Sequence, residues 1–412
     1  MKPRSPLVAG LTSNRLFAPL VIASMLLCIA ANAWLLSHPN FVRVMGVTDF
    51  QDFYVVGQLA LNGKVECAYE WECLRQAQLA HFHDWQFMPW AYPPPFTAVV
   101  EAFATLPHAL SYGAFTGLTF CLYCLAVYKL AGRYSAFALA LTIPAMLINV
   151  RCGQNGFLTA GLVGLFAQNY LERGRRGGLA LGAMIIKPHL AVACAFLVLI
   201  DRRWRTTGQA IAIAIAAMIV ATIALGAPVW EAFRDSSEAS TASLMNGEFP
   251  IGRMTSAYAM AYRFEWGASL AMALQIVVAL FALASIFILS RRCKDDRMVL
   301  SYTIAASMFV SPYNYDYDLT FMAIALALIA PVAVQYISGL EMVALGALSW
   351  LSAANFALAS MTAAPWGFVQ PSEIWSISFP CLLGMCAILA NAVRRRRATG
   401  GATIAPSIQA FP

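Results

Sequence analysis

Apolar runs of about 20 residues recur along almost the whole chain, and at 1.5 Å of helical rise per residue each can cross about 30 Å of hydrocarbon. Of the 412 residues, 60% are hydrophobic and only 11% charged, more apolar surface than one globular interior buries. Lipid is the expected solvent, and the expected fold class is all-α integral membrane. The first run, Leu16 to Leu36, follows Lys2, Arg4 and Arg15; it is long for a signal-peptide core, lacks a small-residue cleavage site and reads as a retained span. Further spans are expected at 109–130, 134–150, 155–171, 207–227, 267–290, 298–311, 319–335, 340–361 and 375–393.

The basic residues give these spans a direction. A net charge of +7 on a chain with basic clusters between apolar runs argues for membrane orientation rather than nucleic-acid binding. The amino-terminal set, Lys129/Arg133, Arg173/Arg175/Arg176, Arg202/Arg203/Arg205, Arg291/Arg292/Lys294/Arg297 and Arg394 to Arg397 together hold 19 of the 27 Lys and Arg, and mark cytoplasmic ends. Both termini are then cytoplasmic, and 15 of the 20 acids fall on the outer face of a plasma (inner) membrane.

One segment resists a simple crossing. Gly178 to Ile200 is hydrophobic, yet arginines flank it on both sides and Lys187-Pro188-His189 sits at its middle. Two short helices meeting at Pro188 answer both facts: proline breaks the helix, and the pair returns to its starting side with Lys187 presented to an outward cavity. The expected bundle therefore has about ten crossings plus one re-entrant pair. A single domain is expected over 1–397, with a polar tail at 398–412.

Two outer loops are long, about 38–108 and 228–266, and the first is rich in aromatic residues. The run from Phe96 to Lys129 is too long for one crossing and divides at Pro107 into a surface helix and a span. Cys67 and Cys73 lie in the outer loop, where oxidation can pair them; no Cys/His spacing reads as a zinc site.

Five constellations carry chemistry. Thr48-Asp49-Phe50-Gln51-Asp52-Phe53-Tyr54 offers a carboxylate near the outer surface, either a helix cap or a general base. Trp90 to Phe96, with Tyr92-Pro93-Pro94, is an interfacial anchor or a sugar and prenyl contact. Arg151-Cys152-Gly153-Gln154-Asn155-Gly156 is a tight turn whose amides can bind hydroxyls. Lys187 needs an anionic partner, either a lipid phosphate or an acid such as Asp49 or Asp318. Ser311-Pro312 leads into Asp316, Tyr317 and Asp318, which either cap the next span or meet substrate.

In order, these pieces resemble glycosyltransferase family 87, the C-type, multi-span enzymes that include polyprenyl-phosphate-mannose-dependent mannosyltransferases. The residues carrying the resemblance are Asp49, Phe50, Tyr54, Gly63 and Lys64, then Tyr92-Pro93-Pro94, Gly153-Gln154-Asn155, Lys187-Pro188 and Ser311-Pro312. It implies inverting transfer of a hexose or pentose, mannose-like, from a polyprenyl-phosphate sugar to a lipid or glycan acceptor on the extracytoplasmic face, with no cofactor and no required metal. Asp49 would be the general base. Asp52, Tyr54, Tyr92, Gln154, Asn155, Asp316 and Asp318 would contact substrate, and Lys187, Arg151 and Arg253 would meet the donor phosphate. Where other members carry a histidine soon after the Ser-Pro, this chain has Asp316, Tyr317 and Asp318, so no histidine role carries over.

A secondary transporter would also have many spans and a broken helix, but related halves and mid-bilayer acids are its marks, and this chain shows neither. An O-antigen ligase or polymerase is a further outward-facing alternative, without a close match in the loop patterns.

Overall fold

A computed structural model describes residues 16–38, 49–82, 87–363 and 374–399. Every regular element among them is helical. After α1 (Phe17–Leu36), the first outer loop contributes α2 (Asp49–Leu61), α3 (Trp71–His81) and α4 (Pro94–Ala104). The bundle continues through α5 (His108–Ala131), α6 (Ser135–Leu141), α7 (Ile143–Cys152) and α8 (Gly156–Leu171). It then runs through α9 (Gly177–Ala183), α10 (Val192–Ile200), α11 (Trp204–Leu225), α12 (Val229–Asn246) and α13 (Ala257–Arg263). The last five are α14 (Ala268–Arg292), α15 (Asp296–Val310), α16 (Thr320–Tyr336), α17 (Gly339–Ala363) and α18 (Ser378–Ala398).

Six intervals among the described residues are long and apolar enough to cross a membrane, against the ten expected: Phe17–Leu36, His108–Leu141, Trp204–Leu225, Ala268–Arg292, Asp316–Tyr336 and Gly339–Ala359. The expected span at 134–150 is two short helices, because Pro144 opens α7 and the chain bends at Thr142. Helices α8 and α15 have 16 and 15 residues, shorter than a 30 Å slab requires. Helix α18 ends in Arg394 to Arg397.

The intervals have different surroundings. Within Asp316–Tyr336, 94% of the most apolar stretch is buried, so alanine-rich α16 is a central post enclosed by protein. In Trp204–Leu225 the share is 6%, and Ile211, Ile215, Ile219 and Ile223 point outward, as lipid-facing side chains do. The break at Pro107 is present, with proline capping α5. Trp90 and Phe96, expected as an interfacial anchor, are instead fully enclosed beside Phe53, because α2 and α4 fold over them.

The segment at 177–200 breaks where lysine meets proline: short helical turns at Met184–Ile186 and Pro188–Leu190 flank a non-helical Lys187. Its two ends lie together. Arg203 Nη1 donates to the Tyr170 carbonyl at 2.8 Å, the Tyr170 hydroxyl meets Asp201, and Gln209 Nε2 donates to the Arg175 carbonyl at 2.7 Å. Glycine permits the approach: a Cβ on Gly178 would stand 2.3 Å from the Thr206 carbonyl, and one on Gly182 2.4 Å from that of Ala210. Helix α9 therefore runs alongside the first turns of α11 and α10 returns to the level at which α9 began.

Candidate active site

The site gathers where the segments at 251–256 and 311–319 meet. An isolated bridge joins Met254 to Tyr315, and the Thr255 N–H donates to the Asn314 carbonyl at 2.8 Å. This holds Arg253 over the start of α16. Its Nε and Nη2 fork onto Asp316 at 3.1 and 3.0 Å, while Nη2 also faces the Cys152 sulfur at 3.4 Å. The remaining arm, Nη1, stands 4.0 Å from Asp49 Oδ2. Two-pronged pairing fixes the guanidinium plane and leaves one edge directed at Asp49.

A second ion pair lies behind the first. Lys187 Nζ donates to Asp318 Oδ1 at 2.6 Å, with the side chains 4% and 0% exposed, and Asp318 Oδ2 accepts from the Tyr315 N–H at 3.1 Å. Of the two partners open to Lys187, the structure shows the acid, Asp318. The Tyr317 ring separates the pairs, 4.8 Å from the lysine nitrogen and 5.6 Å from the arginine carbon, and stacks on Tyr315.

Asp49 opens α2 and Asp52 follows one turn later on the same face. Their settings differ. The Asp49 side chain is 14% exposed. Asp52 is buried, accepts from Gln78 Nε2 at 2.7 Å, and is pushed up to about 8 by burial, with the neighbouring Asp49 charge acting in the same direction.

The turn after α7 forms the opposite wall. Gly153 closes the helix at φ +66°, and a Cβ there would stand 2.5 Å from that of Phe50, so only glycine lets the turn dock beside Asp49. Gln154 Oε1 accepts from the Tyr92 hydroxyl at 3.0 Å and from the Asn155 N–H at 3.1 Å. The Asn155 side chain is fully buried, and both its oxygen and nitrogen lack a hydrogen-bond partner among the described residues, a condition costing about 1–3 kcal/mol.

Two expected residues stand apart, and the contact of a third with the site is not seen. Tyr54 packs against His108, 4.8 Å between ring centres, on the apolar side of α2. Lys64 is exposed beyond that helix. Arg151 is half-buried, its charge acting on Tyr112. Conversely, Gln78, Cys152 and Tyr315 belong to the cluster without having been singled out. A glutamine four residues after buried Leu74 on α3 was the available signal for the first.

A sequence model of glycosyltransferase family 87 matches residues 90–312, a little over half of the chain. The chain belongs to glycosyltransferase family 87. No curated protein and no solved structure gives a match. This family 87 protein is a multi-pass membrane glycosyltransferase. The matched interval holds Tyr92, Gln154, Asn155, Lys187 and Arg253; Asp49 and Asp52 precede it, and Asp316 and Asp318 follow it.

Proposed function

We propose that this enzyme moves a hexose or pentose, mannose-like, from a polyprenyl-phosphate sugar to a lipid or glycan acceptor on the extracytoplasmic face, inverting the anomeric centre. The observation that carries the reading is the unequal treatment of three acids around Arg253 and Lys187. Asp316 and Asp318 are tied to those cations by short hydrogen bonds, whereas Asp49 is the most open and only within 4.0 Å of one. A general base needs that freedom.

In this scheme the acceptor hydroxyl loses its proton to Asp49 as its oxygen attacks the anomeric carbon. The bond from that carbon to the donor phosphate oxygen breaks, and polyprenyl phosphate leaves with the electron pair. The open Nη1 edge of Arg253 meets the departing charge, held in place by Asp316. Lys187 passes from phosphate contact to a supporting role, fixing Asp318 and the Tyr317 ring. Tyr92, Gln154 and Asn155 face the sugar, whose hydroxyls supply the partners that the Asn155 amide lacks.

The convergence of the ends of 177–200 favours a re-entrant pair with Lys187 at its tip. The short helices favour about ten membrane passages within a thinned or funnel-shaped bundle. The arginine-rich ends favour cytoplasmic termini in a plasma membrane.

The test is incubation of purified protein with polyprenyl-phosphate mannose or a polyprenyl-phosphate pentose and a membrane lipid extract. A covalent glycosylated product of inverted configuration is expected. Transport of the lipid-linked sugar without product, or full activity in Asp49→Asn, contradicts the reading.

A further inference from the structure

We propose that Gln78 is a positioning residue for this site: through Asp52 and the Met88 backbone, its one amide locks the helix carrying Asp49 to the loop carrying Tyr92. The inference rests on the reading of Asp49 as general base and adds what holds that base in place.

Gln78 is fully buried on α3, and its whole amide is used. Nε2 donates to Asp52 Oδ1 at 2.7 Å and to the Met88 carbonyl at 2.8 Å, while Oε1 accepts from the Met88 N–H at 3.3 Å. The pairing with Met88 imitates one rung of a sheet, the means by which a glutamine can fix a loop that has no regular structure.

Each contact leads toward the reaction centre. Asp52 is one helical turn from Asp49 on the same face of α2, so holding one carboxyl sets the rotation and entry angle of the first turn. Met88 is four residues before Tyr92, whose hydroxyl reaches Gln154. Trp90, between them, is fixed from the other side by Ser236 Oγ, which donates to its carbonyl at 2.8 Å. Helix α3 is itself anchored, by the Cys67–Cys73 disulfide across its start and by buried Leu74. A rigid support is thus joined to two walls of the site through a single side chain. An amide serving only to fill the core would not need all its hydrogen-bonding groups directed at two site-bearing segments.

The experiment compares Gln78→Met, which keeps length and loses every hydrogen bond, with Gln78→Glu, which keeps the acceptor for the Met88 N–H and can accept the Asp52 proton but loses the donor to the Met88 carbonyl. Hydrogen–deuterium exchange of the full-length protein is read first, since it depends on no substrate. Gln78→Met should raise exchange at 49–54 and 87–92 and leave α15 and α16 unchanged; Gln78→Glu should loosen both segments less than Gln78→Met. With polyprenyl-phosphate mannose, kcat of Gln78→Met should fall on the order of tenfold with KM within about twofold, the pattern of a misaligned base rather than lost donor binding. In an Asp52→Ala background the same change should cost less than in the unaltered protein, because the Asp52 route is already cut and only the Met88 route remains. Unchanged exchange at both segments, loosening across the whole bundle, or additive losses with Asp52→Ala overturns the proposal. Should Asp49→Asn retain activity, the base assignment falls, while the exchange pattern still decides whether Gln78 joins the two segments.

Discussion

At one end of the bundle arginines spend their donors on helix carboxyl termini; at the other, acids gather at helix amino termini and meet one buried and one partly buried cation. Arg297 donates to the Leu130 carbonyl, Arg395 to Tyr336, Arg203 to Tyr170 and Arg291 to Ile200, each in the last turn of a helix. Asp49 opens α2, and Asp316 and Asp318 lie just before α16. Both arrangements complement the helix dipole, so placement alone does not separate structure from function. What separates them is the remainder. Arg395 meets Glu341 at 2.5 and 2.8 Å, and Arg396 meets Asp295 at 3.0 Å. At the opposite end Asp49 stands 4.0 Å from Arg253, and the buried Asn155 amide has no hydrogen-bond partner among the described residues. The less complete pairing at that end is what the proposed site requires.

Removing charge at either end should therefore have different consequences. The largest stability loss is expected from Lys187→Met, which leaves Asp318 buried and uncompensated at a cost of about 3–5 kcal/mol. It would appear as a marked drop in melting temperature, largely restored by Asp318→Asn in the same chain. Arg253→Gln should slow transfer by about 10²–10³-fold through loss of charge stabilisation, a change read in initial rates at saturating donor.

Asp52 gives an effect that depends on pH. Its carboxyl keeps its proton up to about 8 when folded, whereas in the unfolded chain it releases it near 3.8. Between those values the folded state binds more protons, so this group's contribution to stability falls as pH rises and levels off above about 8. The slope is at most about 1.4 kcal/mol per pH unit. Asp52→Asn should flatten melting temperature against pH in that window; an unchanged slope would show that the acid is ionised in the fold. The smallest effect belongs to the other end. Arg395 is a third exposed, and Arg395→Gln should cost about 1 kcal/mol or less and leave transfer unchanged.

The same contrast explains what the sequence made legible. Apolar periodicity, proline and charge placed most helices within a few residues, including the break at Lys187-Pro188, because these signals are local. They missed the bend at Thr142, since one continuous apolar run reads alike whether straight or kinked. They also did not reveal that α8 and α15 are only 16 and 15 residues long, because hydropathy does not mark where a helix stops. At the site, Asp49, Arg253 and Asp316 converge although 204 residues separate the first two. The partner of Lys187 was among two candidates and is Asp318, 131 residues away. Tyr54 turned out on the apolar face because Asp49 and Asp52 claim the opposite one. Gln78 escaped notice because its meaning lies in Asp52 and Met88, which no spacing connects to it.

The rate of sugar transfer by Asp49→Asn, measured beside its melting temperature, tests most directly whether chemistry resides at the less completely paired end. Loss of about 10²–10⁴-fold in turnover with the melting temperature held is the expected result for a general base. Turnover equal to that of the unaltered protein would contradict it.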